Sequence, residues 1–533
     1  MGLTSRMGRR IAYERARQQL RLDLERIVAT APRGYAGGAR VGIATLSSGP
    51  WHLAIEILLA HALRLRGAQP ELLLCDMPSL PICDERTIMS RSIDRCDGCV
   101  DDKRALLDAG AVPWHGLGRF AGAGALDRAR AAVEDLDDDA VTSFVRDGVP
   151  LGRWLHVSAC HYLRRDERGT EAEQIETRRR LLVSAIVTHD AVARWLDTQR
   201  PAVVIAESGA HFMWRIVLEL ARARGIPVFC REMGKGGWDH HIYALNADSM
   251  SPNLSDDWAM ARGQELTSAE DLAVDEFLDT LPERTYLADA YPGAVAPPEV
   301  PRRTAVAFTN VTWDLATAGR DAAFDGLLDW LRTTIKTIAG YPDAHLIVRA
   351  HPAEMLPSTR ERIVDQLRRE GLDGLRNVIV LNGEDRTPAA DLTARAGVTL
   401  VYTSTAGLEA AARGATVVVA GAPHYRGRGF TIDAQSREDY QDLLSRWASG
   451  APIAPPADAV ALARRYFHLF FFRYTIRMGW TTTPLEPPFA LSVRSVDELR
   501  PGHNRNLDVV CDGILTGRQM VLPRADEQVT CAR

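Results

Sequence analysis

Two short polar segments contain residue types that can bind a phosphate group. His351-Pro352 follows the apolar run 344–350, and Thr403-Ser404-Thr405 ends a second apolar run and leads into the helix-like AGLEAAARG. An imidazole N–H can donate to a phosphate oxygen, and hydroxyl and backbone N–H groups at a helix start favour anions. Plain helix capping is the alternative for the hydroxyl cluster. Because both segments follow strands of one expected sheet, we predict that His351, Ser404 and Thr405 bind a phosphate.

Further candidates for contacts with the same ligand are Asn310, Asp314, Glu409, Arg426 and Arg428. Glu409 can accept from a pair of ribose hydroxyls, or it is a surface carboxylate that favours the helix dipole. Arg426 and Arg428 can neutralise a diphosphate or a sugar carboxylate, or they belong to an ordinary exposed loop. Asn310 and Asp314 follow the first strand of this half and can contact the group held at the centre of a cleft. Capping of the next helix is the alternative for Asp314.

Three carboxylates in the first half of the sequence are candidates for a general base or a nucleophile. Glu207 lies near the end of the apolar run 202–208, Glu232 follows the run 227–230, and Asp239 comes shortly after it. Each of them alone is also typical of a polar loop. Asp239-His240-His241 lacks the ligand spacing of a standard metal site.

Four of the eight cysteines are crowded into 25 residues, with the spacing C-x7-C-x12-C-x2-C: Cys75, Cys83, Cys96 and Cys99. Four thiolates can close a tetrahedral structural zinc site, and the C-x2-C half has suitable spacing. Free thiols and an iron–sulfur cluster are the alternatives. We predict that these four cysteines bind a structural zinc ion.

Alternation of short apolar runs with helix-like stretches determines where these residues should lie. Strand, Ser/Gly-rich turn, helix and strand follow one another from residue 41, and the rhythm restarts at 304 after a segment rich in Pro and Ala. This alternation is the βαβ signature of a doubly wound sheet. We predict an α/β fold with two Rossmann-like domains facing each other across a cleft. Ligands of such sheets bind beyond the carboxyl ends of the strands.

The chain is expected to have five parts. The stretch 463–480 contains four Phe, too many apolar residues for one solvent-facing stripe, so we expect this helix to be buried. The parts are an N-terminal helix at 1–40, a Rossmann-like domain with the cysteine-bearing insertion at 41–290, a linker at 291–303, a second Rossmann-like domain at 304–450 and a helical tail at 451–533.

Composition and charge exclude several classes of protein. Of the 533 residues, 46% are hydrophobic and 25% charged, with a net charge of −5, which rules out a disordered or fibrous chain. The net negative charge is small and spread along the chain, so it does not indicate a protein that binds nucleic acid. No apolar run reaches the roughly 18–20 residues of a membrane span, and 1–10 lacks a secretory signal's apolar segment. We expect a cytoplasmic protein, and the Arg-rich stretch 6–30 leaves peripheral contact with the inner face of a membrane open.

Several of these motifs together resemble bacterial capsular polysaccharide biosynthesis proteins, which are two-domain glycosyltransferases of the GT-B type and include the Kdo transferases. The resemblance covers about residues 200 to 480 and is most specific in the His-Pro and Ser/Thr motifs. It is carried by IVRAHPAE, VYTSTAGLEAAARGATVVVAG, PHYRGRGFT, YFHLFFFRY, FTNVTWD and the ESG and EMG pair.

The resemblance implies a nucleotide-sugar donor bound by the second domain, with His351, Ser404 and Thr405 on its phosphate. Similar motifs hold the CMP of the donor in bacterial sialyltransferases, so a CMP-linked sugar is one expectation. The acceptor, a saccharide or another hydroxyl compound, would bind the first domain. GT-B enzymes generally need no catalytic metal for the diphosphate, so we expect none. A non-catalytic nucleotide- or sugar-binding protein and a nucleotide-sugar epimerase of related fold are the alternatives.

Overall fold

The computed structural model describes residues 3–31, 37–46, 49–88, 96–166, 169–234, 239–280, 295, 298–299, 301, 303–481 and 490–524. Contacts divide the chain into two compact units. Unit 1 comprises the described residues of Met1–Tyr162, Thr170–Asn253 and Phe472–Arg533, and unit 2 those of Leu163–Gly169 and Leu254–Phe471.

The strands follow the apolar runs of the sequence. In chain order they are β1 (Arg40–Thr45), β2 (Gln69–Leu74), β3 (Trp114–Gly116), β4 (Val203–Glu207), β5 (Val228–Met233), β6 (His240–Leu245), β7 (Thr304–Phe308), β8 (His345–Arg349), β9 (Val378–Leu381), β10 (Val398–Val401), β11 (Val417–Val419), β12 (Ile432–Asp433) and β13 (Ile476–Arg477).

The helices fill the segments between the strands. They are α1 (Leu3–Val28), α2 (Pro50–Arg64), α3 (Asp84–Ile88), α4 (Cys96–Gly110), α5 (Leu117–Ala121), α6 (Ala125–Glu134), α7 (Asp138–Thr142), α8 (Leu151–Leu163), α9 (Ala172–Gln199), α10 (Phe212–Ala223), α11 (Ser255–Ala261), α12 (Ser268–Thr280), α13 (Leu327–Ala339), α14 (Ile363–Arg369), α15 (Ala389–Arg395), α16 (Ala406–Ala412), α17 (Arg437–Ala448), α18 (Ala459–His468) and α19 (Arg505–Thr516).

Unit 1 contains a seven-stranded sheet with the order β13-β6-β5-β4-β1-β2-β3. The pairs from β5 to β3 are parallel, whereas β6 pairs antiparallel with both β5 and β13. All five residues of β4 are buried, as expected for a central strand that is covered on both faces. The carboxyl ends of β1, β4 and β5 are therefore neighbours at one edge.

Unit 2 contains a six-stranded sheet in which every pair is parallel, with the order β12-β11-β10-β7-β8-β9. Its core lies between this sheet and α13 and α17, and it includes the buried Trp330, Tyr402 and Tyr440. The carboxyl ends of β10, β7 and β8 are adjacent. The predicted α/β fold with two Rossmann-like sheets is confirmed, and it is the architecture that the GT-B resemblance implies.

The division into units differs from the predicted five parts. Leu20, Leu24 and Ile27 of α1 are fully buried in the same core as β1 and α2, so α1 is part of unit 1. Trp480, Leu507 and Ile514 of the tail belong to that core too. Apart from the short segment Leu163–Gly169, unit 2 begins at Leu254 rather than at 304. Most of the predicted linker 291–303 lies outside the described residues.

The aromatic stretch of the tail is buried as predicted. Tyr466 and Phe467 of α18 are fully buried, and Phe471 nearly so, in the π-helical segment Leu469–Tyr474 that continues it. The regular helix is shorter than 463–480, because the chain enters β13 at Ile476. Within the described residues, no helix combines the length and the apolar character needed to cross a membrane.

Candidate functional site

Polar side chains after three neighbouring strands of unit 2 form one hydrogen-bonded edge. Thr309 and Asn310 follow β7, His351 follows β8, and Thr403 follows β10. The Thr309 hydroxyl accepts from the backbone N–H of His351 at 3.2 Å. The Asn310 side-chain oxygen accepts from the Thr403 hydroxyl at 3.1 Å. The structure therefore brings the loops of the two predicted phosphate-binding motifs to one edge of the sheet. We call Thr309, Asn310, His351 and Thr403, together with the adjoining Ser404 and Thr405, the unit 2 edge.

His351 is held by its own turn. It precedes the 3-10 turn Pro352–Met355, and its Nδ1 accepts from the backbone N–H of Ala353 at 3.1 Å. In the neutral imidazole an accepting Nδ1 places the proton on Nε2. The turn thus fixes both the orientation of the ring and the tautomer, and Nε2–H is the donor that could reach a phosphate oxygen.

Ser404 and Thr405 are half-buried at the start of α16. The Ser404 hydroxyl accepts from the backbone N–H of Ala406, the first residue of α16, at 3.3 Å. A hydroxyl that accepts still has its own proton to donate. The buried Tyr425 donates to the Ser404 carbonyl at 2.5 Å and fixes the loop from the other side. Glu409 is half-buried on α16, within electrostatic range of Tyr425.

The two arginines of the Gly-rich loop have different environments. Arg426 donates to the carbonyls of Val419, Gly421 and Ala434, which ties the loop to its own strands. We therefore leave Arg426 out of the proposed ligand set. Arg428 is half-buried over the Tyr466 ring, with its guanidinium carbon 5.7 Å from the ring centroid, and donates to the Ser255 hydroxyl at 3.4 Å.

Asp314 organises the loop after β7. Its carboxylate accepts from the backbone N–H of Ala316 at 3.4 Å, and its carbonyl accepts from Thr317 and Ala318. This turn precedes α13, which begins only at Leu327. The neighbouring Trp313 lies under Arg164, with the guanidinium carbon 4.4 Å from the ring centroid. The loop is thus a built structure next to the unit 2 edge.

Glu354 is a buried acid three residues after His351. One carboxylate oxygen accepts from the backbone N–H of Ile363 at 2.9 Å, while the other has no hydrogen-bond partner among the described residues. Burial raises the pKa of this carboxyl to about 7, against the opposing effect of the backbone N–H groups at the start of α14. Glu354 therefore titrates near neutral pH.

A second polar cluster lies in unit 1, where β4 and β5 end. His52 Nδ1 lies 2.7 Å from a Glu207 carboxylate oxygen. The Arg231 guanidinium lies 3.7 Å from the same oxygen and 3.5 Å from the carboxylate of Glu56 on α2. After Glu207 the chain turns sharply, with positive φ at Ser208 (47°) and Gly209 (73°). Backbone strain of this kind is concentrated at functional sites. We call His52, Glu56, Glu207 and Arg231 the unit 1 cluster.

Only Glu207 of this cluster was assigned a role from the sequence. His52 lies in the first turn of α2, the helix that follows β1, and a polar residue at the start of a helix after a strand is the signal that could have found it. Its partner became visible only once β1 and β4 were known to be neighbours. Glu56 looks in the sequence like a polar position on a helix, and Arg231 looks like an ordinary loop residue.

Glu232 borders the unit 1 cluster. It is half-buried, and its carboxylate accepts from the backbone N–H of Met233 at 3.1 Å. Burial and the charge of Glu207 raise its pKa above the usual value. On the other side of Arg231, burial lowers the pKa of His241 well below its usual value, and the arginine charge adds to this. His241 is therefore a neutral acceptor for the guanidinium, at 3.5 Å.

Asp239 has an anchoring position. Its carboxylate accepts from the backbone N–H groups of Gly479, Trp480 and Thr481 at 2.7, 2.8 and 3.2 Å. These bonds attach the C-terminal segment to the start of β6 within unit 1. Because both carboxylate oxygens are used in this way, we omit Asp239 from the proposed catalytic set.

Of the four cysteines of the predicted zinc site, Cys75 directly follows β2, Cys83 directly precedes α3, and Cys96 and Cys99 begin α4. All four are free thiols. Among the described residues, ligand atoms lie within 4.8 Å of one another in sets of three only at Asp147, His189 and Asp190. Burial raises the pKa of the Cys75 and Cys99 thiols, and the charge of the nearby buried Lys103 opposes this effect. Structural zinc at these four cysteines stays a prediction.

The set Asp147, His189 and Asp190 is itself occupied by an arginine. Arg146 donates to both oxygens of Asp190 at 2.6 Å, and His189 lies 3.1 Å from the same carboxylate. A guanidinium that donates to both oxygens of one carboxylate already occupies the position that a metal cation would need.

Fold and site together define an α/β protein with two Rossmann-like units, each with polar or charged residues where parallel strands end. Residues 317–448 match the family model described as capsule polysaccharide biosynthesis protein. This segment contains His351, Ser404 and Thr405, so the resemblance inferred from those motifs is confirmed there. No curated protein matches the sequence.

Several solved structures are similar to the chain. KpsC of Thermosulfurimonas dismutans, a beta Kdo 2,4 transferase, is 15% identical with a TM-score of 0.34, over 56% of this chain and 87% of that one. HepE of Anabaena, in complex with UDP and glucose, is 12% identical with a TM-score of 0.26, over 81% and 94%. UDP-GlcNAc 2-epimerase of Neisseria meningitidis is 10% identical with a TM-score of 0.24, over 80% and 97%. These likenesses are too weak to assign an activity to the chain.

Proposed function

We propose that the protein is a glycosyltransferase that moves a sugar from a nucleotide-sugar donor to a hydroxyl of a saccharide or similar acceptor, in the synthesis of surface polysaccharide. The observation that carries the proposal is the unit 2 edge, where the loops of His351 and Thr403 are both hydrogen-bonded to the residues that follow β7, and Ser404 and Thr405 come directly after Thr403. In parallel α/β sheets this is the place where nucleotides bind. The family match of residues 317–448 includes these residues.

The chemistry of the edge suits the departing nucleotide phosphate. His351 Nε2–H and the hydroxyls of Ser404 and Thr405 are donors, and negative charge develops on the phosphate as the glycosidic bond breaks. Donors that are fixed before the reaction stabilise such charge more than water does. The turn at Pro352 and the bond from Tyr425 hold two of these donors in place.

The acceptor needs a group that takes its proton, and the unit 1 cluster and the adjacent Glu232 offer such groups. Glu207 and Glu232 are the carboxylates that the sequence predicts for this role, and both lie where unit 1 strands end. We propose that acceptor activation occurs there. A CMP-linked sugar is the first donor to test, because the His-Pro and Ser/Thr motifs resemble those of sialyltransferases.

A melting screen tests the proposal. Purified protein is heated with CMP-, CDP-, UDP-, GDP- and dTDP-linked sugars, and we expect one nucleotide class to raise the Tm. A ligand at about 100 times its Kd stabilises the folded state by about 2.7 kcal/mol. Mass spectrometry of the mixture then separates the alternatives: sugar transfer or slow hydrolysis supports a transferase, and an epimerised nucleotide-sugar indicates an epimerase. Binding without any product indicates a non-catalytic protein, and no Tm shift in the whole series would contradict the proposal.

A further inference from the structure

The most exposed member of the unit 1 cluster is its histidine. The side chains of Arg231, Glu56 and Glu207 are 0%, 1% and 7% exposed, whereas that of His52 is 19% exposed. Two acids and one permanent cation are thus enclosed, and the imidazole is the part of the cluster that solvent or a substrate can reach. A buried cluster of charges with a single titrating group at its surface is suited to proton transfer.

The contact with Glu207 determines which nitrogen can react. A carboxylate only accepts hydrogen bonds, so at 2.7 Å the Nδ1 of His52 must be the donor. The contacts of the ring with described residues run through Nδ1, which also lies 3.4 Å from an Arg231 nitrogen. In the neutral imidazole the lone pair is then on Nε2. This is the arrangement of a base oriented by a carboxylate.

We propose that His52 is the proton acceptor for the acceptor hydroxyl, with Glu207 as the residue that positions it and balances its charge. This inference rests on the proposed function. The acceptor oxygen bonds to the anomeric carbon while its proton moves to Nε2 of His52. The bond from that carbon to the donor phosphate breaks, and the phosphate leaves with the bonding electrons. The imidazolium then returns its proton to water.

The other charged residues have supporting roles. Arg231 lies between Glu56 and Glu207 and prevents two enclosed carboxylates from facing each other without a cation. Burial by itself lowers the pKa of His52, but the adjacent Glu207 raises it above its usual value. Activity should therefore fall on the acid side as His52 becomes protonated. The groups that contribute to this titration are Glu56, Glu207, Arg231, Glu232 and His241.

Kinetics of two variants test the inference, with the nucleotide-sugar that the melting screen selects. His52→Asn keeps an N–H donor towards Glu207 but removes the titrating nitrogen, and we expect kcat to fall by about 10²–10⁴-fold with KM for the donor unchanged. Glu207→Gln should lower kcat and move the acid limb of the pH profile to lower pH, because the carboxylate charge is lost. The control is His115→Ala, whose imidazole also lies near a carboxylate, 3.4 Å from Glu71, but on the edge strand β3.

The outcomes separate the inference from the proposed function. Wild-type turnover that persists in folded His52→Asn overturns the inference alone. If the acid limb of the pH profile does not move in Glu207→Gln, the inference is overturned too, because the charge of Glu207 then has no influence on the base. Absence of turnover in the wild-type protein with every donor overturns the proposed function, and the inference with it. The Tm of each variant shows whether it is folded.

Discussion

Near the unit 2 edge, burial shifts the pKa of an individual side chain away from its value in water. Glu354 is the clearest case, because it is buried with one oxygen unpartnered and its pKa is raised to about 7. Such a carboxyl has a measurable influence on stability at neutral pH.

For Glu354 the sign follows from linkage. The folded state binds this proton more tightly than the unfolded chain does, so the contribution to stability is fully present below pH 4.5 and is lost as the pH rises to about 7. We expect Glu354→Gln to reduce the loss in the free energy of unfolding between pH 5 and pH 8, by up to about 3 kcal/mol. Urea unfolding at both pH values measures it.

The matched control for Glu354 is the exposed Glu384, which lies in the same unit. Glu384→Gln should leave the pH dependence of unfolding as in the wild-type protein. If Glu354→Gln and Glu384→Gln behave alike, the carboxyl of Glu354 is not the group that titrates near neutral pH.

At the scale of elements, the loop that leads into α16 depends on close packing against the Gly-rich loop. A Cβ on Gly407 would overlap the Tyr425 hydroxyl and also lie 2.9 Å from a methyl group of Val401. Tyr425 in turn bonds to the Ser404 carbonyl. The absence of a side chain at Gly407 therefore allows the contact that positions Ser404.

Gly407→Ala should destabilise the protein by about 1–3 kcal/mol, since overpacking costs more than the helix gains from Ala. It should also weaken nucleotide binding, because Ser404 moves. Thermal unfolding and nucleotide titration measure the two effects. Gly374→Ala is the control, because an added Cβ there meets nothing within 4 Å. Equal Tm values for the two variants would show that the packing against Tyr425 does not matter.

Most of the strands could be predicted because a strand buried on both faces is an apolar run that the sequence displays directly. β4 and β10 are examples. β6 was missed because its sequence HHIYAL begins with two polar residues, and β12 and β13 because two residues carry no pattern. The phosphate motifs could be predicted because each is contiguous. The unit 1 cluster could not, because its members come from three separate segments, α2, β4 and β5, that only the order of the strands brings together.

At the scale of the whole molecule, the chain builds two sheets and places polar side chains where parallel strands end in each. Unit 2 offers neutral hydrogen-bond donors at this edge, as a phosphate site requires. Unit 1 offers enclosed carboxylates, an arginine and a half-buried histidine, as proton transfer requires. This division of chemistry between the units is what the proposed glycosyl transfer needs. The central claim is that the edge with His351 binds the phosphate of the donor.

Titration calorimetry with the nucleotide selected by the melting screen tests this claim most directly. Removing a hydrogen bond to a charged group costs about 1.5–3 kcal/mol, so His351→Ala should raise the Kd by roughly 10- to 150-fold. His345→Ala is the matched control, because it removes the same side chain from the opposite end of β8. The account predicts a Kd for His345→Ala within about twofold of wild type. An unchanged Kd in folded His351→Ala, or an equal loss in both variants, would contradict it.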